Sequence, residues 1–175
     1  MRRALAAVLL LAGALAGCDE PQTIITHVDK RTTFTGNQVA VMGAGGALPV
    51  EIHGAPLEGM GPAEVIRLLK MPSGFSQATR FAAIAPGAEV QFRIVLHFNP
   101  QGGPNAFTDC QRLAPARTDT PKAEGFSVNL TFCEDDRWLA HGFMQYPKGR
   151  ADEPDLVARA FEQLLMAILR EEADR

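Results

Sequence analysis

The chain has 175 residues, with 20 acidic side chains against 17 basic ones and a formal net charge of −3. That length suits a single domain. No run of Lys and Arg exceeds two, which leaves no electrostatic footprint for nucleic acid and no polybasic patch for anionic headgroups.

In chain order, Arg2 and Arg3 form a short positive segment, and Ala4 to Leu15 is an apolar run rich in Leu and Ala. Small residues then lead into Cys18. Charge, apolar length and small residues in that order make a signal peptide. The apolar run is shorter than the ~20 residues a membrane-spanning helix needs. Leu15-Ala16-Gly17-Cys18 resembles the lipobox of bacterial lipoproteins. The resemblance implies that residues 1–17 are removed as a signal peptide, that Cys18 carries the lipid, palmitate included, and that the protein is membrane-anchored in the cell envelope, facing the periplasm. Asp19 directly after the cysteine resembles an inner-membrane retention signal of enteric bacteria and favours the inner over the outer membrane. Loss of residues 1–17, which hold two arginines and no acid, takes the net charge from −3 to −5.

With Cys18 acylated, Cys110 and Cys133 remain as an even pair in an oxidising compartment, and a Cys110–Cys133 disulfide is expected. No CxxC or HxxxH spacing accompanies them, so a zinc site is not indicated.

Residues 18–47 read as the lipidated N-terminus and a flexible tether, of which Asp19 to about Gln38 is polar and Thr-rich with isolated apolar residues, with a short strand as the alternative there. Val39 to Gly46 has the look of a strand running into a dinucleotide-binding glycine loop, but that chemistry needs a helix next to hold the pyrophosphate. Leu48-Pro49-Val50-Glu51-Ile52 comes next instead, so the glycines are expected to form a flexible turn between two extended segments.

Residues 48–175 are expected to form one domain. Leu48, Val50 and Ile52 alternate with Pro49, Glu51 and His53, which predicts a half-buried strand. Gly61-Pro62 opens a helix that Pro72 stops. A short extended piece is expected at Arg80 to Ile84. Glu89 to Phe98 is the clearest strand, with Val90, Phe92, Ile94, Leu96 and Phe98 on one face and Glu89, Gln91, Arg93, Val95 and His97 on the other. Asn99 to Gly125 is a long Pro-containing loop, uncommon in a compact domain unless functional or pinned, and Cys110 offers the pin. Phe126 to Cys133 alternates as a further strand, and Trp138 to Tyr146 returns across a Glu134–Arg137 turn. Which face the return strand buries depends on the parity of that turn. Asp152 is a plausible N-cap for a last helix whose stripe runs Leu156, Val157, Ala160, Phe161, Leu164, Leu165, Ile168 and Leu169.

The expected fold is α+β, a two-layer sandwich of about four mainly antiparallel strands with two helices on one face. The segments Leu48–Gly54, Phe92–Pro100 and Leu130–Cys133 together resemble a small domain of functionally uncharacterised proteobacterial lipoproteins, over roughly residues 48–170. That resemblance implies no activity.

Candidate chemistry is sparse. Glu51, His53, Arg93 and His97 share the polar faces of their strands and form a possible polar site if those strands are neighbours. Imidazole with carboxylate suits acid–base work or metal binding, and a solvated sheet face is the plain alternative. His141 joins only if the hairpin register turns it there. Ser73 and Ser76 lack the strand–turn–helix of a nucleophile elbow. Glu134-Asp135-Asp136 lacks the ligand number of a calcium site. No catalytic residue, metal site or cofactor is indicated. The function expected is a lipid-anchored accessory or binding module without catalytic activity, its partners the membrane through Cys18 and an envelope protein. The alternatives are an envelope enzyme or metal-binding protein using Glu51, His53 and His97, and a small-ligand carrier.

Overall fold

The computed structural model describes residues 23–112, 117–120, 125–147 and 153–170. Cys18, Asp19 and Asp152 lie outside them. The elements in chain order are β1 (Ile24–Lys30), α1 (Gln38–Met42), β2 (Leu48–His53), α2 (Pro62–Leu68), β3 (Phe81–Ile84), β4 (Phe92–Phe98), α3 (Ala106–Cys110), β5 (Phe126–Glu134), β6 (Arg137–Tyr146) and α4 (Pro154–Leu169). The six strands form one mixed sheet in the order β1-β6-β5-β4-β2-β3.

This corrects the expected two-layer sandwich of four strands and two helices. The described residues contain six strands and four helices. The strand β2 runs parallel to both β3 and β4, while β1, β6, β5 and β4 pair antiparallel. A parallel β2–β3 pair requires a crossover, and α2 lies on that connection. An edge strand can stay polar on both faces, which is why β1, mostly exposed, has no apolar alternation to read. Both β1 and α1 fall within residues 18–47. The Val39–Met42 stretch is helical rather than extended, because Val39 and Met42 dock together into the core.

One face of the sheet carries the main core. Ile94, Leu96 and Phe98 of β4 and Val128, Leu130 and Phe132 of β5 meet Val65 and Leu68 of α2 and the whole predicted stripe of α4. Phe161 sits 6.2 Å from both Phe98 and Phe126, ring centroid to centroid. Each such side chain contributes about 1.5–3 kcal/mol on burial. The close approach of α4 to β6 depends on Gly142, where a Cβ would stand 2.9 Å from Ile168 and Leu164. Pro154 starts α4 at its first turn, after Glu153 as N-cap. Among the described residues no helix is long and apolar enough to cross a membrane.

The opposite face is covered in part, and by different means. The short helix α3 lies on it, and Cys110 at its end is joined to Cys133 of β5, with Cα atoms 5.6 Å apart. The disulfide, Val95 and Trp138 make a small second apolar cluster. The bond closes a 23-residue separation across the Pro-containing loop.

Candidate functional site on the polar sheet face

Pairing places the polar side chains in rows across the strands, because directly opposed residues share a face. One row runs Asp29, His141, Thr131, Val95, Glu51. The next runs His27, Phe143, Asn129, His97, His53. Arg93 sits one step beyond the first row, opposite Cys133. The four residues read from the sequence, Glu51, His53, Arg93 and His97, are therefore on one face of adjacent strands. His141 is on that face too.

Glu51 and Arg93 form the first cluster. The guanidinium is completely buried, and its Nε donates to Glu51 Oε2 at 2.8 Å. Its other nitrogens donate to the carbonyls of Asp135 and Cys110, each at 2.7 Å. One side chain thus ties β2, the β5–β6 turn and α3 together. Oε1 of Glu51 accepts from His53 Nε2 at 2.8 Å and from the Gly87 N–H at 3.2 Å. Burial works to raise the Glu51 pKa, but the bonds from His53 and Gly87 and the electrostatic attraction of His53 and Arg93 hold it below the ordinary value.

His97 belongs to a second cluster centred on Asp109 of α3. Its Nδ1 lies 2.8 Å from Asp109 Oδ1 and its Nε2 lies 3.1 Å from the Arg117 carbonyl. A carboxylate and a carbonyl both accept, so the two contacts are met together when both ring nitrogens carry protons, which favours the charged ring. Burial pulls the His97 pKa down, yet the hydrogen bond and charge of Asp109 and the Arg117 carbonyl outweigh it and raise the pKa. Asp109 Oδ2 accepts from Asn129 Nδ2 and, at 3.0 Å, from the Thr131 hydroxyl. His53 and His97 stand 6.0 Å apart edge to face, but each answers to a different carboxylate.

No family model matches the chain, and no curated protein and no solved structure matches it. The chemistry of the face is therefore argued from its own residues.

Asp109, Asn129 and Thr131 are not among the residues that strand patterning singles out. A signal for them existed. Cys133 alternates with the apolar residues of β5 and shares its face with Asn129 and Thr131, so a disulfide to Cys110 must draw the long loop over the polar side. Burial there obliges each polar group to find a partner within the chain.

At the far end of the rows lie His27, Asp29 and His141. Two β-bulges put them together. Phe132 pairs with Ala140 but Cys133 pairs with Trp138, which leaves Leu139 as an extra residue in β6. Ile25 pairs with Met144 but His27 pairs with Phe143, which leaves Thr26 extra in β1. Each bulge reverses the facing of the residues beyond it. Without the first, His141 would turn into the helix side and carry the β1 residues paired with it, and without the second, His27 and Asp29 alone would turn there. The His27 and His141 rings stand 4.9 Å apart. His141 is buried, with Trp138 edge to face at 5.6 Å, whereas His27 and Asp29 are exposed. Burial and the neighbouring His27 lower the His141 pKa, against smaller opposing effects of Asp29 and Asp109.

An open groove of about 470 Å³ lies at the other side of β1, lined by Val28, Lys30, Phe34, Gly36, Ile168 and Arg170 among others. The Lys30 ammonium donates to the Arg170 carbonyl across it.

Proposed function

We propose that this protein is a lipid-anchored module of the bacterial cell envelope, held to the membrane through Cys18 and acting as an accessory or binding domain rather than as an enzyme through Glu51, His53 and His97. The observation that carries the second half is the saturation of that cluster. All four oxygens of Glu51 and Asp109 accept hydrogen bonds from this chain, and Arg93 commits its Nε, Nη1 and Nη2 to Glu51 and two backbone carbonyls. A general base needs a lone pair within reach of a substrate proton. Here those lone pairs hold a loop to a sheet. The anchor rests on Arg2, Arg3, the apolar run and the Leu15–Cys18 tetrapeptide.

The anchor is tested by metabolic labelling with an alkyne fatty acid. The thioether needs a thiol, so Cys18→Ser should lose label and membrane retention, and undiminished label would refute the reading. The accessory role is tested by crosslinking from native membranes, where a specific envelope protein should be recovered with the wild-type chain. The enzyme alternative turns on His53, whose side chain is 17 % exposed where that of Glu51 is 4 %. Under the accessory reading, His53→Ala should leave the deletion phenotype complemented. Loss of complementation by a fully folded His53→Ala protein would favour the enzyme.

A further inference from the structure

We propose that His27, Asp29 and His141 form a binding site for a divalent transition-metal ion of the zinc class, at the β1–β6 edge of the sheet. Their potential ligand atoms, one per residue, all lie within 4.8 Å of one another. Two imidazoles and one carboxylate are a donor set that zinc takes at three positions, with a fourth left for water or a partner's side chain. This goes beyond the accessory role and does not depend on the lipid.

Three further observations support it. First, the grouping is built by two separate bulges, in β1 and in β6, and bulges of this kind re-aim side chains at functional positions. Without the β1 bulge His27 and Asp29 would part from His141, and without the β6 bulge the group would face the helix layer instead of solvent. Second, His141 is oriented from behind. Its Nδ1 donates to Asn129 Oδ1 at 3.4 Å, and Asn129 is itself held through its amide nitrogen by Asp109 and by the Thr131 hydroxyl at 3.3 Å. With Nδ1 engaged, Nε2 is the nitrogen left to ligate, the arrangement by which ligand histidines are fixed. Third, exposure is graded as an entry path requires. His141 is buried at 6 % and anchors the site, while His27 and Asp29 are open to solvent. The charge is suitable too, since two neutral imidazoles and one carboxylate leave a bound divalent ion with a net positive charge able to polarise a fourth ligand.

The test uses the full chain, purified in detergent and stripped with a chelator, then titrated with zinc chloride against a chromophoric competitor. A single zinc equivalent should bind. His27→Ala and Asp29→Asn, both at exposed positions, should keep the native circular-dichroism spectrum and weaken zinc by about tenfold or more. Asn129→Ala should weaken it by about 10–100-fold through loss of the orienting bond. His53→Ala should bind zinc as the wild type does. Cobalt bound in place of zinc should give the visible bands of a four- or five-coordinate nitrogen–oxygen site, and His27→Ala should abolish them. Absence of zinc competition in the wild type, or equal affinities in wild type, His27→Ala and Asp29→Asn, would overturn the proposal. The second result would put any bound zinc elsewhere, such as on an unacylated Cys18 thiol.

Discussion

The two ends of the polar sheet face use similar residues to opposite effect. At the β2–β4 end, Glu51, Arg93 and His97 are buried together with Asp109 of α3, the helix that the disulfide ties to β5. At the β1–β6 end, His27 and Asp29 are uncovered and only His141 is buried. Burial turns the first set into mutual partners, because an unpaired charge in low dielectric is costly. Exposure relieves the second set of that obligation, so its ligand atoms converge without being committed to one another. The same residue types thus read as structure where they are covered and as a site where they are not.

The comparison is broken most severely at Arg93. Arg93→Met removes the cation paired with the buried Glu51 carboxylate and leaves the Cys110 and Asp135 carbonyls without the donor Arg93 supplies. Loss of one partner of a buried pair costs about 3–5 kcal/mol. Equilibrium denaturation should register that loss, and a loss below about 1 kcal/mol would mean the cluster is solvated rather than closed.

Removing the cover is the next largest step. A disulfide closing a loop of this length is worth about 3 kcal/mol by chain entropy. The Cys110→Ser, Cys133→Ser double variant should be destabilised by about that amount, and hydrogen exchange of α3 should rise more than that of α4. Uniform exchange in both helices would show that the loop does not depend on its pin.

Titration sharpens the contrast with a smaller effect. In the metal-free protein, His97 should titrate above the ordinary histidine value of about 6.5 and His141 below it, read from their imidazole resonances by NMR. The signs for stability are opposite. His97 binds its proton more tightly folded than unfolded, so its contribution is full below about pH 6.5 and is lost as pH rises through the raised folded pKa. His141 resists its proton when folded, so its contribution is full above about pH 6.5 and is lost as pH falls through the lowered folded pKa. His97→Gln should therefore cost more at pH 6 than at pH 9, measured against wild type at each pH. A cost that did not change with pH would leave His97 neutral.

The smallest effect is expected at the open end. His27→Ala removes an exposed side chain, and its apo stability should stay within about ±0.5 kcal/mol of wild type in thermal unfolding. A much larger loss would mean that His27 holds β1 to the sheet.

Much of the fold was legible residue by residue. The alternation in β2, β4 and β5 and the stripe of α4 identify the apolar faces that form the main core, because those periods are local properties of the chain. The pairing of Cys110 with Cys133 also followed from counting cysteines once Cys18 was set aside. Four elements were not legible in the same way. β1 is a polar edge, β3 has four residues and reads only as a short extended piece, α1 is a β-branched stretch made helical by docking Val39 and Met42, and α3 falls within Asn99–Gly125, which reads as loop throughout.

Of the polar site, Glu51, His53, Arg93 and His97 could be named from strand parity alone, and the sheet brings all four to one face. What parity could not supply was Asp109, which arrives on the five-residue helix α3 within a stretch of no periodicity, or the burial that commits Glu51 and Asp109 to partners within the chain. Nor could it place His27, Asp29 and His141. Side-chain facing along a strand is set by counting residues, and one extra residue inverts the count. Bulges at Thr26 and Leu139 do this on both strands of the β1–β6 pair, and whether a bulge forms depends on what each strand packs against. Periodicity therefore decided β2, β4, β5 and the two apolar helices α2 and α4, and what their apolar faces are. Long-range pairing alone decided the company each polar side chain keeps.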